Sequence, residues 1–287
     1  MEYENVSLTA IIPSRFVDAA GLIVLLYDHI LSFADEVEYI WGAKWTAPKF
    51  LFLLVRYAVP SGLLLHTYQI SGISNITLSN GFCKMVFAMT SNLGLVTIGV
   101  GNFLVLLRLW LIWNRARRLV CWTLCLFIGT QVATVGCAVA VMINVGPSVR
   151  FNEDLNMCQI SRRGFVSALY TPALIFEGIA MVIVCWNALD RPRRYYGDII
   201  DSLCRDGFGY VGLLFGLRLA NLLVTIFVPL HLVFPSICFV WALTTVTVTR
   251  LILKLRKTAR FRQDLQKEKQ EVMQNINALH VQLEAAL

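Results

Sequence analysis

Long apolar runs alternate along the chain with short segments rich in charged residues, Gly, Asn or Pro. A helix needs about 20 mostly apolar residues to cross a hydrocarbon core about 30 Å thick. A membrane-barrel strand needs only about 10 residues, of alternating polarity. The runs here are longer and apolar on every side, so they predict helices. We predict seven membrane spans, at 16–34, 48–70, 85–113, 119–143, 165–189, 208–232 and 235–255.

The predicted fold class is an all-α polytopic helix bundle over residues 1–256, followed by a cytoplasmic helical tail over 257–287. Six spans is the alternative, if the first run lies in the membrane interface. The turn between the last two spans is short and is framed by Pro229 and Pro235. The first residues include glutamates instead of the basic residues of a signal peptide, so we expect the first span to be retained.

Composition supports the membrane assignment. Hydrophobic residues make up 57% of the 287 positions and charged residues 15%, and the mean hydropathy is +0.65. Soluble domains carry about 45–50% apolar and about 25% charged residues. This chain has more apolar surface than a water-soluble globule can bury. A disordered chain is excluded as well, because aromatic residues make up 11% of the sequence.

Lys and Arg predict the orientation. They are concentrated in the connecting segments that share a side with the C-terminus, and such segments face the cytoplasm. The N-terminus is therefore predicted outside, with the plasma membrane favoured over internal membranes. Two glycosylation sequons, at Asn5 and Asn75, fall on the predicted outer side. Each is a candidate for glycosylation, and an unused sequon is the alternative.

Two of the eight cysteines lie on the predicted outer side, where disulfides persist. Cys83 opens the third span, and Cys158 lies in the loop after the fourth span. A bridge between them would hold that loop over the outer mouth of the bundle. Two unpaired thiols are the alternative.

A segment near the N-terminus carries an ordered pattern of charges and tryptophans. It reads YDHILSFADEVEYIWGAKWTAPKFLFLLVRY from Tyr27 to Tyr57. The pattern residues are Tyr27, Asp28, Leu31, Phe33, Glu36, Val37, Trp41, Lys44, Trp45, Lys49, Leu51, Phe52, Arg56 and Tyr57. The segment closely resembles the N-terminal signature of a large family of basidiomycete membrane proteins, known as domain of unknown function 6533. The resemblance implies a fungal multi-span protein and no particular activity.

Charged residues inside the first two predicted spans form a possible pair. Asp28 and Arg56 each lie a turn or two from the cytoplasmic end of their span. Antiparallel neighbours bring such depths together, and an unpaired charge there costs several kcal/mol. We expect a structural ion pair, with a functional relay or separate snorkelling as alternatives. Between the two spans, Trp41 and Trp45 are typical interfacial anchors, with the nearby lysines Lys44 and Lys49 facing headgroups.

A second pair of opposite charges lies deeper. Glu177 is near the middle of the fifth span and Arg218 near the middle of the sixth. Because these spans are consecutive and antiparallel, the two side chains should lie at the same depth. Such residues are functional candidates by default. They line a site on one hypothesis, and on the other they only lock the two helices in register.

The third span is unusually polar, which predicts that it faces the interior of the bundle. Its polar residues are Thr90, Ser91, Asn92, Thr97, Asn102 and, at its end, Arg108. We treat Arg108 as a candidate cytoplasmic switch. His66 and His231 lie toward the outer ends of their spans, where each either lines an outward cavity or is simply a hydrogen-bonded or hydrated side chain.

Motifs of catalytic chemistry are missing from the sequence. It contains no His-Glu-x-x-His, no phosphate-binding Gly-rich loop, no Gly-x-Ser-x-Gly and no Cys/His cluster with zinc spacing. The seventh span has no lysine before Lys254, so it has none at mid-membrane for a retinal Schiff base. We therefore expect no catalytic residue, cofactor or metal site, and no nucleic acid as a partner.

The tail begins with a basic cluster that should attach to anionic lipids. The cluster consists of Lys254, Arg256, Lys257, Arg260 and Arg262. Farther along the tail, coiled-coil spacing extends over barely two heptads, at Val272, Ile276, Leu279 and Leu283. The tail pairs with another helix, as in a homo-oligomer, or lies on the membrane, and a solvated, partly frayed helix is the alternative.

Three functions from different classes fit these patterns. The leading hypothesis is a receptor-like signalling protein with a cytoplasmic partner at its basic loops and tail, because the layout is similar to that of G-protein-coupled receptors. Arg108 stands in Leu107-Arg108-Leu109 without an acidic neighbour, and the last span lacks Asn-Pro-x-x-Tyr. Both departures argue against G-protein coupling. The alternatives are a solute or ion transporter that uses Glu177 and Arg218, and a non-catalytic membrane organiser.

Overall fold

The computed structural model describes residues 8–71, 79–112, 117–153, 155–162, 164–190 and 198–286. The described chain is almost entirely helical. Its elements are α1 (Leu8–Leu31), α2 (Phe33–Glu36) with a π-helical turn (Val37–Trp41), α3 (Ala47–Ser71), α4 (Asn80–Ile112), α5 (Arg117–Val145), a 3₁₀ turn (Gly146–Ser148), β1 (Val149–Asn152), β2 (Met157–Ile160), α6 (Val166–Asp190), α7 (Asp198–Phe227) and α8 (Leu230–Ala286).

The predicted polytopic helix bundle is confirmed. In the part of the chain that the structure describes, six helices are long and apolar enough to cross a membrane. A seventh span results if Ile12–Leu31 and Phe33–Trp41 are counted together, since they pass the same test as a pair bent by 53°. Each predicted run overlaps one of these helices or the bent pair, although the last helix continues far beyond its predicted end at residue 255.

The predicted boundary between the last two spans is wrong by a few residues. Helix α7 ends at Phe227, and α8 begins at Leu230, so Pro235 lies inside α8 instead of opening it. Proline has no N–H for the carbonyl four residues earlier, which here belongs to His231. Ser14 of α1 donates its hydroxyl to that carbonyl at 2.9 Å. A side chain from another helix thus satisfies the group that the proline leaves open.

The spanning helices form a closed ring. Consecutive spans pack against each other, the last helix α8 packs along the first helix α1, and α4 contacts α3, α5, α6, α7 and α8. The α1–α8 contact is close at Gly21, where an added Cβ would lie 3.0 Å from the Cα of Phe239. Helix α4 is therefore the central helix.

The two ends of the bundle differ. Strands β1 and β2 pair antiparallel between α5 and α6, and Arg15 near the start of α1 donates to the carbonyl of Leu155 in their turn at 3.1 Å. We call this the hairpin end. At the opposite end, α8 continues past the other helices for a total of 57 residues. We call this the tail end. No break separates span from tail, so the predicted tail is a continuation of α8.

The outer surface of the ring is apolar, as contact with lipid requires. Large aromatic side chains are exposed near both ends: Trp45, Trp122 and Trp186 toward the tail end, and Phe165 and Phe227 toward the hairpin end. Tryptophan and tyrosine commonly lie at this depth in membrane proteins. The candidate spans and this surface together imply contact with a bilayer.

Candidate functional site

Arg56 of α3 is the centre of a buried polar network at the tail end. Its Nε donates to Glu36 Oε2 at 2.9 Å, its Nη1 to Ser32 Oγ at 2.8 Å and its Nη2 to the carbonyl of His29 at 2.8 Å. The predicted partner, Asp28, lies 3.9 Å from Nη1. Asp28 and Arg56 are thus brought together, but the direct ion pair of Arg56 is with Glu36.

Both carboxylate oxygens of Glu36 are used. Tyr57 donates its hydroxyl to Oε1 at 2.7 Å, and Trp41 donates its indole N–H to the same oxygen at 3.2 Å. The chain reaches this arrangement because α1 ends at Leu31 and the following segment bends by 53°. The π-helical turn then places Trp41, five residues after Glu36, on the same side of the chain. Four residues of the family signature therefore bind one another directly.

Asp28 has a second basic neighbour on the last helix. Arg250 of α8 donates from Nε to Asp28 Oδ1. The side chain of Arg250 is 53% exposed, whereas that of Asp28 is 4% exposed. Arg56 and Arg250 thus face the carboxylates of Asp28 and Glu36. Their formal charges cancel. Sequence reasoning missed Glu36, which it placed in a connecting segment, and Arg250, which it treated as part of the last span.

Lys49 is buried, which corrects the prediction that it faces headgroups. Its ammonium donates to the carbonyls of Trp41 and Ala43 at 2.9 and 2.7 Å and lies 4.8 Å from the centre of the Trp45 ring. It therefore satisfies carbonyls at the end of the π-helical turn, where cations are favourable.

Basic residues of α8 dock on the same connection between α1 and α3. Arg256 donates to Thr46 Oγ1 at 2.6 Å, and Arg260 to the carbonyl of Glu38 at 2.9 Å. The Arg260 guanidinium also lies 5.8 Å from the Tyr39 ring centre. Part of the basic cluster that was expected to bind lipid thus contacts the protein.

A second polar group lies in the middle of the bundle. Arg218 of α7 donates from Nε to Glu177 Oε1 of α6 at 3.3 Å, and both side chains are buried. An added Cβ at Gly101 of α4 would be 3.7 Å from Arg218 Nη2, so three helices meet here. Among the described residues, Glu177 Oε2, Arg218 Nη2, Asn221 Oδ1 and both amide atoms of Asn102 are buried without a hydrogen-bond partner. Such atoms ordinarily bind water or a ligand.

Arg108, the candidate switch, is buried near the tail end of α4. Its guanidinium lies 5.5 Å from the ring centre of Tyr210 on α7, and Lys254 of α8 lies 6.0 Å from the same ring. Helices α4, α7 and α8 therefore meet at an aromatic side chain flanked by two cations. Of the other polar residues of this span, Thr97 and Asn102 are buried, whereas Asn92 is exposed. The prediction that the polar residues of α4 face the interior of the bundle therefore holds only for the half of the helix nearer the tail end.

At the hairpin end, a disulfide joins Cys83 at the start of α4 to Cys158 in β2. The backbone N–H of Phe151 in β1 also donates to Asn80 Oδ1 at 2.8 Å. The hairpin is thus attached to α4 through both of its strands. Asn5 and Asn75, the predicted glycosylation sites, lie outside the described residues.

A third polar cluster is buried toward the hairpin end. His66 Nδ1 of α3 lies 3.0 Å from Asp18 Oδ1 of α1, and Cys238 Sγ of α8 lies 3.6 Å from the same nitrogen. All three residues are buried. The sequence drew attention to His66 alone, because no spacing rule connects residues on three separate helices.

Comparison with known proteins extends the resemblance seen in the sequence. No curated protein and no solved structure matches the chain. Residues 16–61 match the model of a family of unknown function (DUF6533). The match includes the network residues Asp28, Glu36 and Arg56, and it reaches back to Asp18. Residues 16–61 are thus a DUF6533 segment, within a multi-span membrane protein.

Proposed function

We propose that this chain is a receptor-like signalling protein of the plasma membrane of a fungal cell. The hairpin end lies outside, glycosylated at Asn5 and Asn75, and the tail end faces the cytoplasm. The observation that carries the proposal is the attachment of the hairpin to the central helix through Cys83 and Cys158.

Helix α4 is suited to transmit a change at the hairpin. It runs for 33 residues from the disulfide to the tail end, and it contacts five of the other spanning helices. A displacement of the hairpin moves α4 as a rigid rod and changes the packing of Arg108 on Tyr210. A change of this kind biases an equilibrium between two packed states. A ligand enters between α4, α6 and α7.

The proposed partner is a cytoplasmic protein that contacts the tail end. G-protein coupling is not part of the proposal, because Arg108 lies against an aromatic ring and no acidic residue flanks it in sequence. The partner instead recognises the basic loops and the tail of α8.

Proximity labelling tests the proposal in the native fungus. A labelling enzyme is fused to the C-terminus of the full chain, and the comparison is the Arg108→Gln variant with the same fusion. We expect kinases or other cytoplasmic signalling components to be enriched with the wild type and reduced with Arg108→Gln. Recovery of housekeeping membrane proteins alone, in equal amounts with both chains, would contradict the proposal and favour a membrane organiser.

The central polar group favours a second candidate function, transport of a small solute or an ion. Glu177 and Arg218 are buried at the junction of α4, α6 and α7, and each keeps an atom without a partner in the described structure. Uptake into liposomes by the purified protein, lost in Glu177→Gln and retained in the exposed tail variant Glu271→Gln, would support transport and overturn the signalling proposal.

A further inference from the structure

We propose that Asp18, His66 and Cys238 form a binding site for a zinc ion that joins α1, α3 and α8. These residues contribute a carboxylate oxygen, an imidazole nitrogen and a thiol sulfur, all within 4.8 Å of one another. The inference does not depend on the signalling proposal, since it concerns only what these three side chains bind.

The donor set selects the metal. Thiolate and imidazole bind zinc and other late transition metals, whereas calcium and magnesium prefer oxygen ligands alone. With a neutral imidazole, one carboxylate and one thiolate balance the charge of Zn²⁺. A neutral complex suits a position enclosed by three helices, where a net charge would be costly. Each ion bound displaces the thiol proton of Cys238 to solvent.

The distances are close to those of a tetrahedral zinc complex. Bond lengths of about 2.0 Å to oxygen or nitrogen and about 2.3 Å to sulfur place the ligand atoms about 3.3 Å apart for O–N and about 3.5 Å apart for N–S. The observed separations are 3.0 Å for Asp18 Oδ1 to His66 Nδ1 and 3.6 Å for His66 Nδ1 to Cys238 Sγ. The third separation, between the Asp18 carboxylate and Cys238 Sγ, is within 4.8 Å against about 3.5 Å in such a complex, so these two side chains close toward the ion when it binds.

One oxygen atom is left unexplained if the cluster is only hydrogen-bonded. Asp18 is 2% exposed, and its Oδ2 has no partner among the described residues. Three protein ligands leave the fourth position of zinc for a water molecule, and Asp18 Oδ2 accepts a hydrogen bond from that water.

Cobalt spectroscopy tests the site in the full chain. The protein is purified in detergent with the disulfide intact, in a background where Cys121, Cys125, Cys137, Cys185 and Cys204 are alanine. Titration with Co²⁺ should give one equivalent of tetrahedral cobalt with a thiolate-to-cobalt charge-transfer band, and Zn²⁺ should displace it. A weak octahedral spectrum without that band would overturn the proposal, whatever the variants do.

Ligand variants locate the metal. Asp18→Asn, His66→Gln and Cys238→Ser should each weaken zinc binding by at least the roughly 10–100-fold that the loss of a second-shell partner costs. The matched controls His231→Gln and Asp35→Asn should bind as tightly as the wild type. Zn²⁺ should also raise the melting temperature of the wild type and not that of Cys238→Ser. Unchanged affinity in the ligand variants would place the ion elsewhere and overturn the assignment.

Discussion

Arg250 in the last spanning helix donates a hydrogen bond to the carboxylate of Asp28 in the first, across 222 residues of sequence. The pair closes the ring of helices at the tail end, where Asp28 also lies 3.9 Å from Arg56. The two basic partners differ in burial. Arg250 is half-exposed, whereas Arg56 and its direct partner Glu36 are buried. The Arg56–Glu36 pair should therefore matter most for stability.

Glu36→Gln should destabilise the protein strongly. The substitution leaves the buried Arg56 guanidinium with only the more distant carboxylate of Asp28, 3.9 Å away, and breaking a buried pair costs about 3–5 kcal/mol. Thermal unfolding in detergent, followed by tryptophan fluorescence, measures the effect. The exposed neighbour Asp35 provides the control, since Asp35→Asn should change stability by no more than about 0.5 kcal/mol. Arg250→Gln should lower the free energy of unfolding by at most about 1 kcal/mol. A loss as large as that of Glu36→Gln would show that the contact of α8 with Asp28 contributes as much to stability as the Arg56–Glu36 pair.

The sequence could predict which charged residues lie at the same depth along neighbouring helices. Consecutive antiparallel spans place residues at equal depth side by side, which is why the pairing of Glu177 with Arg218 and the proximity of Asp28 to Arg56 could be inferred. Glu36 was missed because its segment looks like a loop. The bend after Leu31 and the π-helical turn, which bring it back into the bundle, leave no signal in hydrophobicity.

Contacts between helices far apart in the chain could not be predicted from the sequence. Arg250 meets Asp28, and Cys238 meets His66, only because α8 closes the ring against α1 and α3. No periodicity within one span encodes that closure. The cysteine spacing predicted no metal site for the same reason, since the three donors of the proposed zinc site come from three segments.

Gly21→Ala should loosen the contact between the first and last helices. The new Cβ would lie 3.0 Å from the backbone Cα of Phe239, and a backbone cannot move aside as a side chain can. Overpacking of this kind costs about 1–3 kcal/mol. Gly94→Ala is the matched control, because a Cβ there meets nothing within 4 Å. Equal melting temperatures for the two variants would mean that α1 and α8 do not approach so closely.

Loss of the disulfide should destabilise the hairpin end. The bridge closes a loop with a sequence separation of 75, for which the loop-entropy model gives about 4 kcal/mol. Cys158→Ser should therefore lower the melting temperature, and Cys185→Ser should not. Mass spectrometry of a non-reduced digest should detect the disulfide-linked peptide pair that contains Cys83 and Cys158. If reduction leaves both the digest and the melting temperature unchanged, the two thiols are not bridged.

The proposed orientation predicts that the two ends of the chain lie on different sides of the membrane. An impermeant protease should remove an N-terminal tag from intact cells and reach a C-terminal tag only after permeabilisation. Asn75→Gln should also reduce a glycosidase-sensitive mobility shift, and the double variant with Asn5→Gln should abolish it. Removal of both tags from intact cells would indicate an even number of crossings, as in the six-span alternative.

The exposed part of α8 should pair with a second copy of the chain. A helix of 57 residues is about 85 Å long, more than twice the thickness of the hydrocarbon core. Beyond the bundle, Val272 and Ile276 lie exposed one turn apart at positions that coiled coils bury. Truncation after Arg262 and the double variant Val272→Glu with Ile276→Glu should both reduce the assembly to a monomer in mass photometry. The nearby exposed variant Gln274→Glu should keep the wild-type mass, and a truncated protein that retains its assembly size would mean that the bundle itself holds the copies together.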